Sequence, residues 1–464
     1  MNRPLFHRLA LAATLGLALG LAGCDVFDVD EVQDPNNPSL NDVIANPTPD
    51  KLANVAAGIE SGSRIDISLY LINVGVVGRE FYRFSGSDPR FVTELLGEGS
   101  QTLDNNTFYI ARPWGARYRT IRNAYVLLEA TDAPAVDAFY SEAEQAAVRG
   151  YARTWIAHQL LMNLNLTFDN GVRTDVADSE NIGPIVDPYD AAIADIEAIL
   201  DQAADDLSAA GDAALPFPTT IDNVGTVEFE SAAGLLTFNR ALAARIAAYR
   251  MDWDGVLDAL GGSFIDVDGD LFLGAYHLFS TGAGDQTNLM HYPVDAPAGE
   301  IIVAHPSFVD DADEDDARVF GDDPKVAIHL DSEGEPTPVT VADLSSDYTF
   351  IRYESVSAPI PIIRNGELVL LRAEALAQTG DASGAVAAIN VVRNAASLEN
   401  YDGGTSTGAL IDEILRQRRY ELYGEGHRWI DVRRYDRLGT LPIDRPEDDV
   451  WVQFPIPFAE NAGG

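Results

Sequence analysis

One cysteine, two lysines and no long apolar stretch are the scarcities that bound this 464-residue sequence. A single cysteine, Cys24, cannot close an internal disulfide, so packing, hydrogen bonds and ion pairs must hold the fold. No segment after the first two dozen residues approaches about 18 uncharged apolar residues, which excludes a spanning helix in the body. Positive charge is scarce too: 31 basic residues face 73 acidic ones, a formal net charge of −42. Nucleic-acid binding needs a basic footprint and is excluded, and attraction to anionic lipid heads is disfavoured for the same reason. Lys51 and Lys325 are the only lysines. An acidic, Lys-poor surface holds water and resists aggregation where salt screens repulsion, so we expect adaptation to salt and a melting point that rises in molar NaCl.

Chemical motifs are equally sparse. The 7 histidines are scattered with no HExxH, so zinc is not expected. There is no G-x-S-x-G elbow and no phosphate-cradling glycine loop. Asp266-x-Asp268-Gly269-Asp270 sets oxygen ligands near calcium spacing, but its glycine comes too early and no glutamate closes the loop. It reads as a polar turn, and Asp310–Asp316 as a solvated acidic loop. No metal or cofactor is expected. Carboxylate pairs suited to glycoside hydrolysis arise by chance among so many acids and carry little weight.

The apolar fraction is 46%, enough for a sizeable core, and 19 Phe, 17 Tyr and 5 Trp leave aromatics to spare for binding. Residues 1–23 read as a signal peptide: Arg3 and Arg8, an apolar run from Leu9 to Leu21, then small residues. Leu21-Ala22-Gly23-Cys24 resembles the bacterial lipobox, which implies lipidation at Cys24 and anchoring to the outer membrane at the cell surface. Residues 24–48, rich in Asp, Asn and Pro, read as an extended tether.

From residue 49 to 464 the pattern is that of one mostly α domain. Apolar spacing predicts helices over 50–60, 114–131, 141–165, 189–209, 231–250, 364–379, 383–397 and 408–424. Leu368, Leu371 and Ala375 share one face; Gly380 stops that helix and Asp381 caps the next, where Ala385, Ile389 and Val392 align. Such a hairpin suggests a tetratricopeptide-like pair. Between about 262 and 358 the helical pattern gives way to a loop-rich insertion with β-like pieces at Ile301–Val303 and Tyr348–Arg352, the usual place for binding.

The most specific stretch runs from Ile411 to Arg434. Ile411, Ile414, Leu415 and Leu422 form a stripe; Arg418 and Glu421, then Arg428 and Asp431, stand three apart and can pair. We read these charges as a buried network that locks the last helix onto the body, not as catalytic groups. The run Arg418-Arg419-Tyr420-Glu421-Leu422, then Glu425-Gly426-His427-Arg428-Trp429 and Asp431-Val432-Arg433-Arg434, resembles the C-terminal signature of the SusD/RagB family of nutrient-binding outer-membrane lipoproteins. Pro361-Ile362-Ile363-Arg364 with Glu367, Leu370, Leu371, Arg372 and Glu374, then Ile389-Asn390 and Arg393, Asp315-Asp316-Ala317-Arg318, and Pro455-Ile456-Pro457-Phe458 fall in the family's order. The resemblance is strongest from 359 to 461. It implies a SusD-like tetratricopeptide-like α-superhelix with a loop-rich insertion, no enzymatic activity, and a partner: a SusC-type TonB-dependent transporter that the lipoprotein covers as a lid.

Sugar rings offer flat C–H faces to aromatic rings and hydroxyls to polar side chains, so an aromatic shelf ringed by polar groups is the expected site. Two regions qualify. One holds Phe81, Tyr82, Phe84, Tyr109 and Trp114 with Asn105 and Arg112; the other holds Phe272, Tyr276, His277, Phe279, His291 and Tyr292. Trp114 is the preferred contact, because it is read as opening a helix after a proline-containing loop. Capture of a glycan or oligosaccharide is the leading expectation. Peptide capture within the same family, a helical glycoside hydrolase and a purely structural lid are the alternatives.

Overall fold

The computed structural model describes residues 39–224 and 228–461. The leader, Cys24 and most of the tether lie outside these residues. The described end of the tether is not extended throughout: a short helix α1 (Leu40–Ala45) forms where Ser39 caps the Asp42 N–H.

Helices α2 (Pro49–Arg64), α3 (Ile67–Val77), α4 (Phe108–Thr131), α5 (Glu142–Thr167), α6 (Tyr189–Ala210), α7 (Ala232–Tyr249) and α8 (Trp253–Gly261) build the first part of the scaffold. Neighbours pack on one another, α2 on α4, α4 on α5, α5 on α6, α6 on α7 and α7 on α8. Their start signals are local: Thr48 caps α2 with Pro49 at its first turn, and Ser141 with Glu144 closes a reciprocal capping box on α5. Helix α3 went unpredicted because it is apolar all round; every one of its residues is buried, so no amphipathic period marks it.

Strand β1 (Phe81–Ser85) follows α3, and the insertion adds β3 (Gly274–His277), β4 (Glu300–Ala304), β5 (Val326–Ile328), β6 (Val339–Val341), β7 (Leu344–Ser346) and β8 (Tyr348–Phe350). With β2 (Asp222–Val224) and β9 (Ile360–Arg364) they form antiparallel sheets ordered β1-β4-β8-β5 and β2-β3-β9, plus a β6-β7 hairpin. The first sheet joins residues 81–85 to the insertion, with Phe81 opposite Ala304 and Ser85 opposite Glu300. The Asp266–Asp270 stretch is the expected polar turn: Asp266 accepts from the Asp268 N–H at 3.1 Å and Asp270 from the Phe272 N–H at 2.8 Å.

After β9 come α9 (Asn365–Thr379), α10 (Ala382–Ala395), α11 (Thr407–Glu421) and α12 (Arg428–Arg434); the insertion itself holds one-turn helices at Pro306–Asp310 and Ala317–Phe320. The α9–α10 hairpin turns as expected: Gly380 has φ 92° and Asp381 accepts from the Gly384 N–H at 2.9 Å. Helix α9 is apolar on two faces. Leu368, Leu371 and Ala375 join the main core, while Val369, Leu370 and Ala373 face Ile389, Val392, Ile411 and Ile414 in a smaller one.

Most of the C-terminal charges are buried and several are paired, but not as their spacing suggested. Arg418 reaches Asp431 at 2.7 Å instead of Glu421, and Asp431 also meets Arg434 at 3.0 Å, not Arg428. Glu421 pairs with Arg364 at 2.7 Å, and Glu425 with Arg364 at 2.9 Å and Arg352 at 3.0 Å. Burial alone would push these carboxyls up; the arginines overrule it and hold both below the usual range. Arg245 with Glu367 at 2.6 Å and Arg434 with Glu374 extend the network to α7 and α9. It ties the insertion, α9 and α11 together.

Candidate functional site

The two sequence regions meet at a cleft of about 360 Å³. Its floor comes from α3 through Leu69 and Ile72, with Phe91 and Phe279; Phe108 and Tyr292 contribute rings, and Leu289, 62% exposed, stands at its mouth. Helix α3 can offer side chains to the cleft and the core at once because it is apolar on every side.

Three arginine–carboxylate pairs border the cleft. Arg64 meets Asp285 at 2.8 Å, Arg112 meets Asp66, and Arg83 meets Glu300. Arg83 is almost fully buried, and its guanidinium carbon lies 4.9 Å from the Tyr292 ring and 5.6 Å from Phe91, within cation–π range of both. Arg90 fixes Phe108 in the same way at 4.9 Å. Burial raises the Tyr292 phenol above its ordinary pKa, and the adjacent Glu300 carboxylate adds to this. The Ser280 hydroxyl, donating at 2.7 Å, and then the neighbouring backbone hold Asp285 below the usual carboxylate range. The rings are therefore held in place by fixed cations, while the remaining polar edges can exchange hydrogen bonds with a hydroxyl-bearing solute.

Of the residues expected here, Arg112, Phe279 and Tyr292 line the cleft. Four others are packing residues, which corrects the expectation. Phe81 lies 5.1 Å from the Phe350 ring with no exposure, Tyr82 stacks on Phe84 at 5.7 Å, and Tyr109 donates its hydroxyl to Glu94. Trp114 is 4% exposed, and its indole N–H donates to Glu460 at 2.9 Å. It does not open a helix: α4 begins six residues earlier and Pro113 lies inside it. The carbonyl of Tyr109, which Pro113 leaves without its helical donor, accepts from Asn73 Nδ2 at 2.6 Å, so α3 repairs the break. Asn105 is half-buried and gives its carbonyl to the Phe458 N–H at 2.9 Å. Tyr276 is buried and lines a different hollow. Sequence reasoning missed Phe91, Phe108 and Arg83. Arg83 carried a readable signal, a lone charge inside the apolar run Phe81-Tyr82-Arg83-Phe84.

Among the described residues no cluster of His, Cys, Asp and Glu could hold a metal ion, and no helix is long and apolar enough to cross a membrane.

A tetratricopeptide-like α-superhelix carrying a loop-built aromatic cleft is the class that this geometry defines. Residues 340–454 match the model of the SusD family. A SusD-like protein of Formosa agariphila is 30% identical over 148 residues, 25% of this chain and 29% of that protein's length. Thus the chain matches well under half the length of that relative. Solved structures agree over most of the chain. A SusD superfamily protein from Bacteroides vulgatus superposes with a TM-score of 0.64 at 17% identity, covering 90% of this chain and 97% of that one. A surface glycan-binding protein from Bacteroides uniformis gives 0.63 at 17% identity over 84% and 88% of the two chains. A laminarin-binding SusD-like protein gives 0.61 at 17% identity over 89% and 97%. At such identities the likeness is one of fold. Residues 340–454 therefore resemble the SusD family in sequence, and the chain as a whole shares the fold of SusD superfamily structures.

Proposed function

We propose that this chain captures neutral oligosaccharides at the cell surface, anchored through Cys24, and passes them to a SusC-type TonB-dependent transporter. The observation that carries the reading is the cleft between α3, the start of α4 and the 279–300 loops, with Phe108 and Tyr292 as rings and Arg83 fixed between Tyr292 and Phe91. Sugar C–H faces pack on such rings, and the bordering pairs supply donors and acceptors for hydroxyls. The formal charge of −42 favours a neutral solute over an acidic one. Relatives of the same fold that bind glycan support the sugar over the peptide reading. Binding without turnover fits the chemistry. Glycoside hydrolysis needs a carboxyl kept protonated beside a second carboxylate, whereas Asp66, Asp285 and Glu300 each meet an arginine.

Titration of the full chain with neutral oligosaccharides, acidic oligosaccharides and peptides tests this. The reading expects saturable binding of a neutral sugar, no cleaved product, and a loss of about tenfold or more on Tyr292→Ala. Peptide binding alone, or sugar binding indifferent to Tyr292 and to Phe108→Ala, overturns it. Co-purification with a large β-barrel, lost on deleting the barrel's gene, checks the partner; release of Cys24→Ser from the membrane fraction checks the anchor.

A further inference from the structure

A second hollow, of about 510 Å³, lies in the insertion and belongs to no part of the cleft described above. Phe272, which is half-buried, forms one side of it. Its ring lies 5.3 Å from the Arg364 guanidinium carbon and 5.9 Å from that of Arg352, so cations of the buried network fix its orientation. Asp323, Glu354, Ser355 and Ser357 are exposed along the edge. Phe272 and Asp323 also border a smaller hollow of about 240 Å³ beside Arg318 and Glu421, so the aromatic face continues past the first cavity.

The two clefts share a wall. Segment 286–292 lines the first and segment 351–359 lines the second. They are joined by three contacts: Asn288 N–H to the Val356 carbonyl at 2.7 Å, Asn288 Nδ2 to the Ala358 carbonyl at 2.8 Å, and His291 Nδ1 to the Tyr353 carbonyl at 2.9 Å.

We infer that the hollow at Phe272 is a second saccharide-binding cleft, for a neutral sugar ring stacked on Phe272 with its hydroxyls on Asp323, Ser355 and Ser357. The chemistry selects the class. A half-open aromatic ring held by cations gives an apolar platform, short hydroxyl and carboxylate side chains give hydrogen bonds, and the acidic edge repels uronates and sulfates. Two clefts flanking one wall suit a long or branched chain, whose second contact is intramolecular once the first is made. The inference rests on the sugar reading proposed above, and the experiment separates the two.

Calorimetric titration and saturation-transfer NMR would be run on the full chain with neutral β-glucan oligosaccharides, a uronate oligosaccharide and a cationic peptide as probes. The variants are Tyr292→Ala, Phe272→Ala, Phe272→Trp and Ser355→Tyr; the last narrows the mouth at an exposed position without touching the network. Two neutral-sugar events are expected in the parent. Tyr292→Ala should remove one, Phe272→Ala and Ser355→Tyr should each weaken the other about tenfold, and Phe272→Trp should restore it. Loss of all sugar binding with Tyr292→Ala, and none with the Phe272 and Ser355 variants, overturns the second cleft and leaves the first reading standing. Loss only with the latter variants overturns the first reading and supports the second cleft. Binding of the uronate or peptide alone, or of no probe, overturns both.

Discussion

Arg364 holds Glu425 in a two-point grip, Nε to Oε2 at 2.9 Å and Nη2 to Oε1 at 3.0 Å, with the arginine fully buried at the junction of β9 and α9. Its remaining N–H groups reach Glu421 Oε1 at 2.7 Å, the Glu421 carbonyl at 2.6 Å and the Leu271 carbonyl at 3.2 Å, so all five donors are used. Removing one partner of such a pair strands the other. We expect Arg364→Met to lower unfolding free energy by about 3–5 kcal/mol, read from urea titration. Glu425→Gln should cost less, because Arg352, 3.0 Å from Glu425, still has the amide oxygen as an acceptor. A double-mutant cycle on the two positions should then give a coupling of at least about 1 kcal/mol. Additive effects would show that the contact does not hold the segment.

How much of this was readable follows from the range of each interaction. The α9–α10 turn was legible at Gly380 and Asp381 because its stop and its cap are local. The assignment of the C-terminal charges to scaffold was legible as well, but the partners were not. Arg418 to Asp431 spans a helix end and a turn, and Arg364 to Glu425 brings together residues 61 apart. Arg112 and Tyr292 lie at the cleft because a cationic or aromatic side chain near loops tends to reach solvent. Tyr109 and Trp114 misled for the same reason in reverse. What covers Trp114 is Glu460, 346 residues away, and no local pattern announces that.

The burial of Trp114 yields a sharp contrast with Tyr292. Trp114→Phe keeps most of the packing against Tyr118, 5.1 Å away, and loses the hydrogen bond to Glu460. The expected cost is about 1 kcal/mol of stability with sugar affinity unchanged. Tyr292→Ala, at a half-buried cleft position, should do the opposite: a small change in melting and a large one in affinity. Paired thermal melts and titrations on both variants check this, and weakened binding in Trp114→Phe would return that residue to the site.

Asn288 is wholly buried and joins the two walls through its side chain, accepting from the Met290 N–H at 2.9 Å while donating to Ala358. Asn288→Ala leaves both backbone groups without a partner, at a cost of about 1–3 kcal/mol. Because the wall borders both clefts, hydrogen exchange should quicken in 286–292 and 353–358 together. Exchange that quickens in one segment alone would show that the two move independently.

Glu80 carries the most informative pH dependence. It is 2% exposed, accepts from the Gly424 N–H at 3.1 Å, and has one oxygen with no partner. Burial pushes its carboxyl up to about 7, more than the Gly424 N–H and Arg428 pull it down. The native state therefore keeps a proton that the unfolded chain releases near pH 4.5. Its contribution to stability is complete below that value, declines as pH rises, and is gone above about 7. Glutamine stays neutral throughout. Glu80→Gln should match the parent at pH 4.5 and exceed it by about 1–3 kcal/mol at pH 8, the amide's own unmet N–H taking back part of the gain. The arginine-paired carboxylates act oppositely: Glu367, held at about 2 by Arg245 against the upward push of burial, loses its contribution as pH falls. These groups are common to both proteins and cancel in the difference. Chemical denaturation of the two at a series of pH values isolates the Glu80 term, and a difference independent of pH would mean that Glu80 is ionised in the native fold.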